Sequence, residues 1–324
     1  SEKDLDQFKN KWRKAKKKII LVGVLSPDSI DKKIFNLICD DPSVVVLTEK
    51  TSNLNHSMII NSIDTLMAPI EVLEKEKQIF LQPDILLTFG GMVVSKKIKY
   101  FLRNHPPEAH WHVDSKKAYD TYYCLKKHCL LQPNDFLKAL YSDESSPVSS
   151  YRDEVLKYYN KFGARGQQWL KTQAFSDLKV FEKIALKLPN TLQLQLANSS
   201  TIRYAQLFDL PNQTSVFCNR GTSGIDGSTA TAVGAAQISK TPTLLITGDL
   251  SFFYDLNGLW NNYIPSNFRI ILINNSGGGF LEFYQEKKTL LNMILILKPS
   301  TSAMQNRLQR LLALNISLLD LCLA

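Results

Sequence analysis

Short apolar runs alternate along this chain with stretches of helical periodicity. The runs predict buried strands at 19–25, 44–47, 85–89, 110–113, 191–196, 215–218, 243–247 and 268–273. Between the first two runs, Ile30, Ile34, Leu37 and Ile38 mark one face of a helix. A strand followed by a helix and another strand is typical of a parallel sheet with right-handed crossovers. The pattern therefore predicts an α/β protein.

A polar segment with a proline, residues 143–150, separates two such alternations and is the best linker in the sequence. Residues 151–170 follow with a mostly helical pattern. The second alternation begins at about Phe175. We therefore expect two doubly wound parallel-sheet domains joined by a helical linker.

The charge balance is basic, with a formal net charge of +9 over 324 residues. Much of the excess lies at 14–18 and 96–127, and no nucleic-acid-binding motif accompanies it. Anionic small substrates or solvated lysine faces account for it, so we expect no nucleic-acid partner. Five cysteines without C-x-x-C spacing favour a reducing cytoplasm, without disulfides or structural zinc. No apolar run reaches membrane-spanning length, so no membrane span is expected.

Polar, oxygen-bearing residues follow two of the predicted strands. Gly248 and Asp249 end the strand at 243–247, and Asn275 follows the strand at 268–273, before three glycines. Ligands of open α/β sheets bind at the carboxyl ends of the strands. A hard cation such as Mg²⁺ takes carboxylate and amide oxygens and commonly bridges them to phosphates. Alone, each motif is also compatible with an ordinary turn.

Arg203 and Arg220 also follow predicted strands and are expected at the ligand edge. An arginine fork matches a carboxylate with two parallel hydrogen bonds. On spacing alone, loop-anchoring arginines at the surface remain the alternative.

Several strings of residues together resemble one family. They are CNRGTSGIDGSTATAVGAA at 218–236, TGDLSFFYDLNGLW at 247–260, INNSGGG at 273–279, ANSSTIR at 197–203, TFGGMVVSKKIKYFLR at 88–103 and HWHVD at 110–114. They are similar to the 2-succinyl-5-enolpyruvyl-6-hydroxy-3-cyclohexene-1-carboxylate synthases, thiamine-diphosphate enzymes of menaquinone biosynthesis. The likeness extends from residue 1 to about 280.

The resemblance implies a transferase that decarboxylates 2-oxoglutarate on thiamine diphosphate and adds the succinyl carbanion equivalent to isochorismate. It implies a central Rossmann-like domain at 1–150, a helical linker at 151–174 and an incomplete diphosphate-binding domain at 175–280. It also implies dicarboxylate substrates, and a homo-oligomer, dimer or tetramer, in the intact family.

The family's site residues carry over by position. Asp249, Asn275 and the Gly277 carbonyl would hold Mg²⁺ or Mn²⁺. The cofactor would contact Ser223, Gly224, Ile225, Asp249, Ser251, Asn275 and Gly277, with Ile225 supporting its bent form. The substrates would contact Lys96, Asn198, Ser199, Arg203 and Arg220.

The chain departs from the family pattern at its start. The family's N-terminal pyrimidine-binding domain, with the glutamate that protonates the aminopyrimidine, has no counterpart here. The resemblance therefore implies no catalytic residue in this chain and no activity for the chain alone.

A second departure follows Gly279. Family members continue with a string like IFRILPGKK, whereas residues 280–288 read FLEFYQEKK. Removing one nucleotide from permitted codons of the first string yields the second. A frameshift near Phe280 is therefore expected, with 281–324 as a shifted tail.

Two alternatives stay open. The first is another thiamine-diphosphate enzyme, a 2-oxoacid decarboxylase or one like acetolactate synthase; RGTSGIDG and the two arginines argue against it. The second is a non-enzymatic remnant or a nucleotide-binding module. Gly90 and Gly91 form no complete G-x-G-x-x-G motif, so nucleotide binding has weak support.

Overall fold

The computed structural model describes residues 2–72, 75–142 and 147–275. The strands are β1 (Lys18–Val22), β2 (Val44–Leu47), β3 (Ile85–Phe89), β4 (Ala109–Val113), β5 (Lys127–Cys129), β6 (Thr191–Leu196), β7 (Gln213–Cys218), β8 (Thr243–Gly248) and β9 (Phe268–Ile273). The helices are α1 (Glu2–Lys14), α2 (Lys32–Asp40), α3 (Ile63–Ile70), α4 (Lys75–Leu81), α5 (Lys96–Asn104), α6 (Pro133–Leu140), α7 (Tyr151–Lys171), α8 (Asp177–Lys187), α9 (Ser200–Ala205), α10 (Ser228–Ile238) and α11 (Asp249–Tyr254). Short 3₁₀ turns span Lys50–Ser52 and Leu256–Leu259.

Two compact units divide the chain. The first comprises Ser1–Leu188 and Arg203–Val216, and the second comprises Pro189–Ile202 and Phe217–Ala324. The division therefore differs from the sequence-based boundaries at 150 and 175. It follows spatial contacts, and the chain passes between the units three times, after residues 188, 202 and 216, whereas the predicted boundaries treat each domain as one continuous segment.

The first unit contains a five-stranded sheet in the order β2-β1-β3-β4-β5, with every neighbouring pair parallel. Both faces of the sheet are covered. Trp12, Phe35 and Phe136 belong to the core on one face, and Leu66 and Phe101 to the core on the other. Helices on both faces of a parallel sheet define a doubly wound fold, so the predicted fold class is confirmed for this unit.

The helix α7 contributes to the first unit rather than standing apart as a linker. Tyr151 and Val155 are buried in its core, and the Tyr151 hydroxyl donates to the Leu81 carbonyl at 2.7 Å. The sequence correctly predicts a helix here. The helix buries Tyr151, Val155 and Leu170, and the rest of its length is half-buried or exposed, so the periodicity alone did not show where it packs.

A second sheet has the order β7-β6-β8-β9, in which β6 and β8, and β8 and β9, pair in parallel; residues 213–216 of β7 are assigned to the first unit and the rest of the sheet to the second. Small residues of α10, Ala232 and Val233, pack with Leu245 and Phe252. The second predicted parallel sheet is thus present as well. Within the residues that the structure describes, no helix is both long and apolar enough to cross a membrane.

Candidate active site at the carboxyl edge of the second sheet

The carboxyl ends of four strands carry most of the predicted site residues of the second unit. Asn198 and Ser199 follow β6, Arg220 follows β7, Asp249 follows β8 and Asn275 follows β9. Since β6, β8 and β9 run parallel, the residues after them lie at the same edge of the sheet.

The two metal-binding candidates follow neighbouring strands. Gly248 pairs with Ile273 at the last register position of β8 and β9, so Asp249 and Asn275 follow the paired strand ends by one and two residues. Asp249 is buried, and its Oδ1 accepts the Leu250 N–H at 2.7 Å. Asn275 is exposed. Gly277 lies outside the described residues, as does the tail at 281–324.

Asn198 is the hydrogen-bonding centre of this edge, and it is buried. Its Nδ2 donates to the carbonyls of Asn219 and Gly224, at 2.8 Å and 2.7 Å. Its Oδ1 accepts from Arg220 Nη1 at 2.7 Å and from the Cys218 thiol at 3.4 Å. Both amide hydrogens and both acceptor positions are therefore in use. The geometry makes Asn198 a residue that orders the loop after β7.

The loop that would face the cofactor is fixed at two further points. Ser223 has a φ of 61°, a left-handed conformation that is uncommon outside glycine. The buried Ser251 hydroxyl of α11 donates to the Ile225 carbonyl. The predicted cofactor-binding residues Ser223, Gly224 and Ile225 therefore form one loop, tied to Asn198 at one end and to Ser251 at the other.

The amino end of α10 follows this loop. The sequence analysis gave Ser228 and Thr229, its first two residues, no role in the site. The hydroxyls of Ser228 and Thr229 are buried and have no hydrogen-bond partner in the part of the chain that the structure describes. The Ala230 N–H donates to Asp255 Oδ2 at 2.8 Å. A Cβ added to Gly258 would lie 2.8 Å from the Ala230 Cα, so only glycine fits there. Asp255 and Gly258 both lie in the YDLNG string at 254–258, and this string was the sequence signal that could have indicated their contacts with α10.

Of the remaining predicted substrate residues, Lys96 and Arg203 belong to the first unit, and Ser199 follows Asn198 at the edge described above. Lys96 is exposed at the start of α5 in the first unit. Arg203 also belongs to the first unit, is half-buried, and has a buried Nε with no partner among the described residues. Ser199 is half-buried with a φ of 70°. Asn198 and Arg220 are thus in direct contact, and Lys96 and Arg203 are placed within the first unit.

A cavity of about 930 Å³ lies at the opposite, amino-terminal edge of the first sheet. Its lining side chains are engaged in holding the fold. Asp84 accepts the backbone N–H groups of Lys16 and Lys17 at 3.0 Å each, and Lys17 Nζ donates to the Phe80 carbonyl at 3.4 Å. Ligands of open α/β sheets bind at the other edge. This cavity is therefore not the candidate site.

The second unit offers a buried carboxylate, an amide, two buried hydroxyls and a helix amino end at one sheet edge. Groups of these kinds suit anions at a helix amino end and hard cations that take oxygen ligands. Residues 3–196 match the family model described as the middle domain of thiamine pyrophosphate. This match covers more than half of the chain, so the chain belongs to the thiamine pyrophosphate enzyme family.

Curated relatives carry a more specific name. The chain is 50% identical over 286 residues to a protein of Flavobacterium johnsoniae, covering 87% of this chain and 51% of the relative. It is 49% identical over 294 residues to one of Christiangramia forsetii, covering 90% and 51%. It is 34% identical over 288 residues to one of Porphyromonas gingivalis, covering 86% and 49%. All three are named 2-succinyl-5-enolpyruvyl-6-hydroxy-3-cyclohexene-1-carboxylate synthase. The chain spans about half the length of these relatives.

Proposed function

We propose that this chain is part of a synthase that decarboxylates 2-oxoglutarate on thiamine diphosphate and joins the succinyl unit to isochorismate. The observation that carries the proposal is the position of Asp249 and Asn275 just after the paired ends of adjacent parallel strands, at the sheet edge that also holds the Asn198–Arg220 contact. The names of the relatives support the same reaction.

The residues at this edge suit a metal-bound diphosphate. No group of three or more His, Cys, Asp or Glu side chains within the described ranges is arranged to hold a metal ion. A metal here would therefore rest on one carboxylate, Asp249, with the Asn275 amide and a backbone carbonyl, for which we propose Gly277. Such an all-oxygen set suits Mg²⁺ or Mn²⁺, which would keep phosphate oxygens in its shell. The Ser228 and Thr229 hydroxyls at the amino end of α10, which have no partner among the described residues, provide further donors.

The cations and hydroxyls suit substrates with two carboxylates. We assign carboxylate contacts to Arg220, Arg203 and Lys96, and a hydroxyl contact to Ser199. Arg220 has its Nη1 directed to Asn198, while its Nε is buried without a partner in the described chain. A planar guanidinium fixed on one side presents its remaining N–H groups in a defined direction, which favours a bidentate contact to a carboxylate.

In this proposal the chain's own residues bind and orient the cofactor and the substrates, and they exclude water from the site. Bound thiamine diphosphate supplies the carbanion chemistry itself. The ties from Asn198 and Ser251 fix the backbone of 223–225, so that Ile225 can support the cofactor. The arginines hold the substrate carboxylates in place, which lowers the entropic barrier to reaction. We assign no residue of this chain to proton transfer at the cofactor.

One observation argues against a nucleotide-binding role for the first unit: two loops contact each other where a nucleotide would bind. Its strand order reverses between β1 and β3, where doubly wound sheets bind nucleotides. There the Gly91 N–H donates to the Val24 carbonyl at 2.8 Å, and a Cβ added to Gly23 would lie 1.8 Å from the Gly91 carbonyl oxygen. The glycines let two loops pass in direct contact at this point.

We also propose that one nucleotide is missing at or just before the Phe280 codon. The support is the relation between FLEFYQEKK at 280–288 and the family-like string in the other frame. We further propose that the full-length protein forms a homo-oligomer, either a dimer or a tetramer.

A panel of 2-oxoacids tests the reaction. The assay uses the full-length protein, by which we mean this chain joined to the part of its relatives' sequence that it does not cover. We expect consumption of 2-oxoglutarate that depends on isochorismate, thiamine diphosphate and Mg²⁺. Turnover of pyruvate in preference to 2-oxoglutarate would contradict the proposal and favour an enzyme like acetolactate synthase.

A further inference from the structure

A buried glutamate ties the end of β2 to the beginning of α5 in the first unit. Glu49 is 3% exposed and directly precedes the 3₁₀ turn Lys50–Ser52. Both of its carboxylate oxygens lie 2.8 Å from the Val94 N–H, and Oε1 also accepts the Ser95 N–H at 2.8 Å. Charge-assisted bonds of this kind are among the stronger hydrogen bonds in proteins.

The backbone of Glu49 is itself held in place. Its N–H donates to the Ser52 hydroxyl at 3.0 Å, and that hydroxyl donates to the Val22 carbonyl at the end of β1 at 2.9 Å. Glu49 is therefore anchored to the sheet through its backbone. Because its carboxylate binds the N–H groups of residues 94 and 95, it fixes these residues relative to β1 and β2.

The first turn of α5 is fixed further by Ser95. The Ser95 hydroxyl accepts the Ile98 N–H at 3.2 Å as the N-cap and donates to the Asp64 carboxylate. The next residue is Lys96, the first of the helix. A cation at a helix amino end is opposed by the helix dipole. The Glu49 carboxylate beneath this turn compensates for that placement.

Of the three lysines at the start of α5, two are engaged. Lys97 Nζ lies 2.6 Å from Glu71 Oε2, and Lys99 Nζ donates to the Val93 carbonyl at 2.8 Å. Lys96 is exposed, and its ammonium makes no hydrogen bond or ion pair to any residue that the structure describes. It is the ammonium of this turn that remains available to a ligand.

We propose that Glu49 is a positioning residue for Lys96. It fixes the backbone from which the Lys96 ammonium reaches a substrate carboxylate, without itself contacting substrate. The proposal rests on the proposed function, because it needs a dicarboxylate ligand for Lys96. Neither the comparisons nor the sequence motifs assigned a role to Glu49.

The test combines Glu49→Gln and Lys96→Ala, singly and together, in the full-length protein. Glutamine keeps the shape but turns one acceptor into a donor facing the N–H groups of residues 94 and 95. We expect Glu49→Gln to raise the KM of one dicarboxylate substrate about tenfold, with kcat within about threefold. In the Lys96→Ala background the same substitution should change that KM by less than about twofold, because residues that act together are not additive.

Asp84→Asn is the matched control. Asp84 also accepts two backbone N–H groups in the first unit, but at the amino-terminal edge of the sheet. It should lower the melting temperature and leave both KM values unchanged. If Glu49→Gln unfolds the protein, Ser52→Ala replaces it, because it removes the hydroxyl that accepts the Glu49 backbone N–H and so loosens the carboxylate more mildly.

The outcomes separate this proposal from the one on which it rests. A KM raised by Lys96→Ala, with an additional and equal effect of Glu49→Gln in both backgrounds, would overturn the positioning role alone. Unchanged KM values in Lys96→Ala would remove Lys96 from substrate binding, and the role of Glu49 with it. Non-additive KM effects with an unchanged Asp84→Asn variant support the proposal.

Discussion

Asn198 Oδ1 accepts a hydrogen bond from Arg220 Nη1 at 2.7 Å, across 22 residues of sequence. The same amide donates to the carbonyls of Asn219 and Gly224. One side chain therefore sets both the direction of the arginine and the course of the loop that precedes α10. A residue predicted to touch substrate turns out to have its hydrogen-bonding capacity used within the protein.

Asn198→Ala should therefore affect two properties at once. It leaves two carbonyls and one guanidinium N–H without their partner. These groups are only part-buried, so water can replace some of the lost bonds and the cost is on the order of 1 kcal/mol for each. We expect a lower melting temperature and weaker thiamine-diphosphate binding by calorimetry. Asn267→Ala is the control, because that amide donates to the Thr241 carbonyl at the other edge of the sheet. Equal effects of the two variants on cofactor affinity would contradict the role of Asn198.

Arg220→Lys should damage substrate use more than cofactor binding. Lysine keeps the charge but loses the planar fork. A charge-assisted hydrogen bond contributes about 1.5–3 kcal/mol, so kcat/KM should fall about 10- to 100-fold. Arg269→Lys is the matched control: Arg269 lies on β9 of the same unit, and its Nη1 donates to the Ser266 carbonyl at 2.6 Å. Unaltered kinetics with both substrates in Arg220→Lys would remove this arginine from the site.

Asp249→Ala should abolish the metal dependence of cofactor binding. Asp249 supplies the only formal charge among the proposed protein ligands, and a hard cation needs anionic oxygen donors. Calorimetric titration with thiamine diphosphate should show an Mg²⁺-dependent affinity in the parent protein and none in the variant. Retention of a strong Mg²⁺ effect would mean that the metal lies elsewhere.

Much of the fold could be predicted from the sequence, because buried parallel strands are continuous apolar runs. The predicted bounds of β6 and β9 agree with the structure. β5 was not predicted, since Lys127 and His128 leave it without an apolar run. In the site, strand ends were predictable from periodicity. The positioning contacts of Asn198 and Glu49 were not, because they join residues 21 to 46 positions apart through backbone groups, which carry no sequence signal.

The first unit should lose stability as the pH falls below about 6.5. Thr88 Oγ1 lies 2.9 Å from His110 Nε2 and 2.8 Å from His112 Nδ1. Burial, followed by the neighbouring His112, lowers the pKa of His110 to about 4. Burial also lowers the pKa of His112, against the opposing effect of Asp114.

The sign follows from proton binding. Between about pH 6.5 and 4 the unfolded chain binds a proton at His110 that the folded chain does not. Stability should therefore fall on acidification, by up to about 1.4 kcal/mol per pH unit from His110. Thermal melts at several pH values check this, with His110→Gln expected to have a shallower pH dependence and His105→Gln as the control. An unchanged slope in His110→Gln would show that other groups cause the acid sensitivity.

The reading frame after Gly279 gives a prediction that can be tested on the gene alone, without purified protein. If one nucleotide is missing at or before the Phe280 codon, inserting it should restore a downstream translation similar to the relatives, beginning with a string like IFRILPGKK. The reason is that FLEFYQEKK follows from that string's permitted codons when one nucleotide is removed. Nine consecutive residues rarely satisfy such a relation without a shared DNA origin. Sequencing the gene through codons 274–324 provides the check. Stop codons in the shifted frame, or a translation unlike the relatives, would contradict the proposal and make the segment after 280 a sequence of its own.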